Sequence, residues 1–187
     1  PHLGEAPDEA TRTARLEALA DTLRSMEGMD LNFANGLIAL LHNRFRPFKE
    51  GETPDAREAE RLTLYEWFEG GRLNRSELRQ WQIFESLSKT NSKRLLVSLI
   101  LLLRHLGYQG LIVLLDELET VLLQSASVRN AAYENVRLLI DNAEQGHHLH
   151  VFFSIIPDVL LADRGFKSYD ALWSRVRSVG DSKRLNY

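Results

Sequence analysis

The chain has 187 residues, 44% hydrophobic and 26% charged, enough for one good core or two small ones in an ordinary globular fold. Its formal net charge of −3 argues against a chain-wide attraction to nucleic acid or membrane and leaves room for a local basic face. With no cysteine, a disulfide framework and a thiolate zinc site are excluded.

Residues 9 to 27 read as a helix, with Leu16, Leu19, Ala20 and Leu23 on one face. Phe33, Leu37, Leu40, Leu41 and Phe45 repeat that spacing, which predicts a second helix over 31 to 45. Thr53-Pro54 supplies a hydroxyl cap followed by proline in the first turn, so a third helix starts there. Its pattern buries Leu62, Leu64, Tyr65 and Phe68 and leaves Arg57 and Arg61 toward solvent, and Gly70-Gly71 stops it. Asn74 and Glu77 have capping-box spacing ahead of a helix showing Leu78, Trp81 and Phe84 or Leu87 on one side. Asn91 caps a fifth helix over 92 to 106, apolar nearly all round and so buried on several sides. Its apolar run from Leu95 to Leu103 is too short to span a bilayer, and no signal peptide opens the chain. A cytoplasmic location without membrane contact is the expectation.

The character changes after Gly107. LIVLL, residues 111 to 115, follows a Gly-Tyr-Gln-Gly turn, has strand length and contains the β-branched pair Ile112 and Val113. A rival reading makes 111 to 122 one helix, since Leu111, Leu114, Leu115, Leu118 and Leu122 also share a helical face. Helical spacing returns over 126 to 143 with Val128, Ala132, Val136, Leu139 and Ile140. HVFFSIIP, residues 150 to 157, reads as a buried strand ended by proline. A last helix near 168 to 178 carries Tyr169, Leu172 and Val176. The order helix, strand, helix, strand, helix contains a βαβ unit with parallel strands.

Asp116 and Glu117 then sit at the carboxyl end of a parallel strand, the edge where open α/β sheets bind ligands. There one carboxylate can hold Mg²⁺ through its water shell while the next activates a water for attack on phosphate. Apolar residues followed by Asp-Glu form the Walker B element of P-loop ATPases; strand ends also carry acids merely because they meet water. Ser154, inside the second strand, occupies the place where ATPases of the AAA+ type carry a polar residue that contacts the water or γ-phosphate. Its alternative is a serine satisfied by its own backbone. Arg164, Arg175 and Arg177 follow that strand, and Arg175 is the best candidate to reach a neighbour's nucleotide in an oligomer. The alternative is an exposed arginine on an amphipathic helix.

The segments LRHLGYQGLIVLLDELETV, RNAAYENVRLLIDN, VFFSIIPDVL and YDALWSRV resemble a family of bacterial P-loop ATP-binding proteins. That family includes the ATP-binding protein of the BREX phage-defence system and its BrxD-like relatives. The resemblance covers about residues 89 to 178. It implies that Asp116 is the magnesium-side acid and Glu117 the catalytic acid. Arg129, Tyr133 and Arg137 form one helical face that is either functional or a solvated salt-bridge stripe. The expected fold is α/β and helix-rich: a partial parallel sheet of a P-loop, AAA+-like fold behind a large helical N-terminal region. Residues 1–90 form the helical region, 91–180 the partial ATPase core, and 181–187 a tail.

One departure is large. The phosphate loop needs G-x-x-x-x-G-K-[ST], and none of the 11 glycines is followed by lysine. With Pro1 at the start, the expectation is an excerpt lacking that loop, with ATP and magnesium bound in the full-length protein and neither held tightly by this chain. Its partners would be the upstream part of the same protein, a second copy in a homo-oligomer, other defence-system proteins or DNA.

Two alternatives compete with the ATPase. One is a non-catalytic helical interaction module. The other is a nucleic-acid-binding domain using Arg44, Arg46 and Lys49 around Phe45 and Phe48, or Arg72, Arg75 and Arg79 near Trp81. His147, His148 and His150 cluster before the second strand without a carboxylate spaced to complete a metal site.

Overall fold

The computed structural model describes residues 6–145 and 148–180. Its chain divides into two units, Pro1–Leu102 and Leu103–Tyr187.

In the first unit, helices begin where the sequence supplies an acceptor. The Asp8 carboxylate accepts the Thr11 N–H at 2.7 Å and opens α1 (Glu9–Ser25). Asp30 accepts from Asn32 and Phe33 at 2.9 and 3.0 Å and opens α2 (Leu31–Phe45). Thr53 caps α3 (Pro54–Phe68) through the Ala56 N–H at 3.1 Å, with proline in the first turn. Then come the short α4 (Arg75–Arg79) and α5 (Ser92–His105).

The core of this unit gathers Leu23, Phe33, Ala34, Ile38, Leu64, Trp67, Leu78 and Ile83 around α3. The Trp67 and Phe68 rings meet edge to face at 4.8 Å, and Phe33 meets Phe68 at 5.6 Å. Helix α2 approaches this aromatic pair through Gly36, where an added Cβ would lie 3.0 Å from both rings. The Trp67 indole N–H donates to the Glu85 carbonyl at 3.0 Å, so even this buried polar atom is satisfied.

Three expectations for this unit fail. Leu62 and Tyr65 are exposed, because the fully buried side of α3 is the one carrying Leu64 and Trp67. Arg57 is not on the solvent side: its guanidinium lies 3.6 Å over the Phe48 ring and pairs with Glu52, which the turn before α3 brings back to it. The helix expected through Phe84 stops after Arg79. Asn74 makes no side-chain cap bond, Gln82 adopts a left-handed φ of 57°, and Phe84 is exposed. Long-range bonds hold that segment instead: Asn35 donates to the Gln82 carbonyl, and Asn32 accepts the Phe84 N–H.

In the second unit, β1 (Leu111–Leu115) pairs in parallel with β2 (Leu149–Phe153), with Leu111 opposite Leu149 and Leu115 opposite Phe153. A 3-10 turn (Leu118–Leu123) and α6 (Ala126–Gln145) make the crossover. The rival all-helical reading of 111 to 122 is thereby overturned. Its spacing was half right, since Leu118 and Leu122 lie in the 3-10 turn. The second strand stops at Phe153, short of the expected Pro157, because that proline opens α7 (Pro157–Leu161). A 3-10 turn (Phe166–Ser168) and α8 (Asp170–Gly180) follow.

Gly110 fixes the entry to the sheet. The Leu111 N–H donates to the His148 carbonyl at 2.8 Å, and a Cβ on Gly110 would lie 2.4 Å from that same oxygen. Tyr133, Val136, Val159, Phe166 and Leu172 are the buried core, and α6 packs on β2. On the strands exposure alternates, and Ile112, Leu114 and Phe152 form an exposed apolar face. The architecture is a helix-rich α/β fold with a small two-stranded parallel sheet. Among the described residues no helix is long and apolar enough to cross a membrane.

Candidate functional site

Strand β1 ends one residue before Asp116. The Asp116 Oδ1 accepts the Glu117 N–H at 2.9 Å, and Glu117 takes a left-handed conformation with φ 55° and ψ 36°. A non-glycine residue held there costs roughly 1 kcal/mol or more, a strain typical of functional turns. The backbone then enters the 3-10 turn, whose first bonds run from the Thr120 N–H and hydroxyl to the Glu117 carbonyl at 3.1 and 2.9 Å. The result is two successive carboxylates, both exposed, at the carboxyl end of a parallel strand.

Ser154 is also exposed, and its backbone N–H donates to the Leu115 carbonyl at 2.9 Å. The parallel register, carried one residue past Leu115 and Phe153, therefore sets Ser154 alongside Asp116. The backbone thus brings three of the sequence candidates, Asp116, Glu117 and Ser154, to one edge.

Arg175 belongs to a different cluster. Its Nε and Nη2 donate to the Asp141 carboxylate on α6, and its Nη1 donates to the Ala171 carbonyl. Asp141 also accepts from Arg137 at 2.6 Å, Arg137 pairs with Glu134 at 2.6 Å, and the Tyr169 hydroxyl donates to Glu134 at 2.8 Å. The Arg137 bond and then the Tyr169 bond hold the Glu134 carboxyl down to about 2. Arg175 lowers Asp141, and the bond that Arg137 donates to Glu134 raises Arg137. The sequence spacing Glu134, Arg137, Asp141 foretells the part of this network within α6. Nothing in the spacing foretells the arms from Tyr169 and Arg175.

The other members of the α6 stripe divide. Tyr133 is fully buried and donates its hydroxyl to the Arg164 carbonyl at 2.6 Å. Burial raises its phenol, with the Arg129 charge acting the other way. Arg129 donates from Nη1 to the Gln124 carbonyl at 3.0 Å, and its Nε–H is buried without a partner among the described residues. Sequence reasoning gave Arg129 no role of its own. The side chain of Arg177 and all of His147 lie outside the described residues, as does the 181–187 tail.

Magnesium fits the acid pair. It is normally held through one or two carboxylates, waters and substrate phosphates, so a single exposed carboxylate such as that of Asp116 would be enough. A zinc-type site has less support: no group of three His, Asp or Glu among the described residues could hold a metal.

In the basic patches of the first unit Arg46 is occupied, while Arg44 and Lys49 are exposed. Arg46 pairs with Glu52 at 2.6 Å and with Glu60 at 3.0 Å, and its bond and that of Arg57 hold Glu52 far below the usual carboxylate range. Arg72, Arg75 and Arg79 are exposed. An apolar cleft of about 510 Å³ between α2, α3 and α5 is lined by residues such as Leu37, Leu40, Phe68, Leu95 and Leu99. It has no charged side chain in its lining and so nothing to hold a phosphate.

No curated protein and no solved structure matches the chain. The family model described as BREX system ATP-binding protein BrxC/D matches residues 3–186. That match takes in both units and the acid edge, and on it the chain belongs to the BREX system ATP-binding protein BrxC/D family.

Proposed function

We propose that the carboxyl edge of the parallel pair is the acidic half of a P-loop, AAA+-like site that hydrolyses ATP. Asp116 and Glu117 would form its Walker B element, and Ser154 its sensor-like residue. The observation that carries this reading is the exposed Asp116-Glu117 pair at the end of β1, with Ser154 joined to the same strand end through the Leu115 carbonyl.

In this reading Asp116 holds the magnesium ion through its water shell, with one carboxylate oxygen engaged by the Glu117 N–H and the other left for that task. Bound magnesium supplies neutralisation of charge on the phosphate oxygens. Glu117 accepts the proton of the attacking water, and the left-handed turn fixes it next to Asp116. The Ser154 hydroxyl orients that water or the γ-phosphate. Arg175 would act toward a neighbouring copy's nucleotide only after leaving Asp141. The backbone that wraps the phosphates comes from outside these residues, since no glycine here precedes lysine. The work done with ATP serves phage defence, with other BREX components, DNA or a second copy as partners.

Phosphate release by the whole gene product that carries this chain tests the proposal. Glu117→Gln is expected to lower hydrolysis by about 100-fold or more while ATP still binds. Hydrolysis that survives Glu117→Gln unchanged removes Glu117 from the chemistry and defeats the reading.

A further inference from the structure

A crossover helix runs back against the direction of its parallel strands, so α6 begins at the same carboxyl edge where β1 ends. Arg129 lies in the first turn of α6. It is held differently from Glu134, Arg137 and Asp141 of that helix. Glu134, Arg137 and Asp141 are joined to one another, to Tyr169 and to Arg175. Arg129 has no ion pair among the described residues: its bond goes to the Gln124 carbonyl at 3.0 Å. Its Nε–H is buried without an acceptor among the described residues. A buried guanidinium donor with nothing to receive it is an unfavourable arrangement that a strong acceptor would relieve. One neutral carbonyl is also a weak tether for a charge that pairs best with carboxylate or phosphate.

We propose that Arg129 is a phosphate-contact residue of the carboxyl-edge site, its guanidinium turning from the Gln124 carbonyl to the phosphate oxygens of the nucleotide. This rests on the reading of Asp116 and Glu117 as the hydrolytic pair. It assigns to a residue of the crossover helix, within the same copy, the cationic contact that the Asp141-bound Arg175 does not make in this arrangement.

The test measures MgATP affinity by calorimetry, and hydrolysis in parallel, on the whole gene product that carries this chain. Arg129→Gln keeps a polar side chain but removes the charge; Arg129→Lys keeps the charge. The expected result is an affinity loss of about tenfold for Arg129→Gln, a smaller loss for Arg129→Lys, and unchanged melting temperatures for both. If Glu117→Gln stops hydrolysis while Arg129→Gln binds MgATP like the wild type, the Arg129 assignment is overturned and the hydrolytic reading stands. If Arg129→Gln lowers the melting temperature but not the affinity, the residue is structural and the assignment is again overturned. If Glu117→Gln hydrolyses ATP like the wild type, both fall together.

Discussion

The two units use their charged groups in different ways. In the first, Asp30, Glu52 and Glu60 are built into the structure while most other carboxylates stay exposed. Asp30, only 6% exposed, caps α2 and also pairs with Arg94, while Glu52 and Glu60 clamp Arg46 beside the start of α3. In the second, Glu134 and Asp141 do similar work between α6 and α8, but Asp116 and Glu117 are left facing solvent on a strained turn. Within that turn the Asp116 carboxylate accepts only the Glu117 N–H, and both acids stay exposed. The difference also runs through the apolar groups. The first unit closes a core around Trp67 and exposes scattered apolar residues such as Leu31, Leu62 and Phe84, whereas the second exposes Ile112, Leu114 and Phe152 together on its small sheet.

The sharpest way to break this comparison is to open the first unit's core. Trp67→Ala removes a 1% exposed ring and its bond to the Glu85 carbonyl, so a loss of about 3–5 kcal/mol is expected in urea unfolding followed by circular dichroism. A loss under about 1 kcal/mol would mean that the aromatic cluster does not organise that unit. Next in size is Asp30→Ala, which removes the α2 cap and one of the two carboxylates paired with Arg94. The expected loss is about 1–2 kcal/mol by the same measurement, and an unchanged midpoint would show the cap to be ornamental.

A pH titration compares the clamps directly. Glu134 titrates near 2 in the folded chain against an ordinary value of 4.5. Its stabilisation is therefore complete above about pH 4.5 and is lost as pH falls toward 2. Glu134→Gln is expected to flatten the acid limb of the second unit in that window, read from amide signals of α6 and α8. An acid limb identical to the wild type would remove Glu134 from the clamp. Glu52 is lowered for the same kind of reason, chiefly by Arg46, so the first unit shares the direction of the effect.

The smallest effect is expected at the exposed sheet face. Leu114 is 74% exposed, and Leu114→Thr should change stability by no more than about 0.5 kcal/mol. A clearly larger loss in thermal unfolding would show that something packs on this face in solution, and the contrast between the units would shrink.

The local signals were legible. Thr53-Pro54 starts α3, the second helix occupies Leu31–Phe45 as its spacing predicts, and the β-branched run after Gly110 is a strand. The acid pair was legible as an apolar run meeting water, and the match of residues 3–186 to an ATP-binding family agrees with the resemblance in those segments. Other features were hidden because their partners are distant in the chain. Leu62 and Trp67 are both apolar residues on α3, and which side is buried depends on where Phe33 and Gly36 of α2 arrive. Phe84 looked helical because its own neighbours suit a helix, but Asn32 and Asn35 capture the backbone there. Asp141 gave no sign that it would bind Arg175.

By itself the sequence determined where the longer helices start, roughly where the parallel strands lie and that two acids close the first of them. Those features rest on caps, turns and side-chain periods within a few residues, which the chain carries wherever it goes. Only the tertiary structure decided that Ser154 comes beside Asp116, that Glu117 turns left-handed, that Arg175 is clamped and that Arg129 has a donor unpaired. Each of those depends on strand register or helix packing, and these are settled by the total burial of the unit rather than by neighbours in sequence.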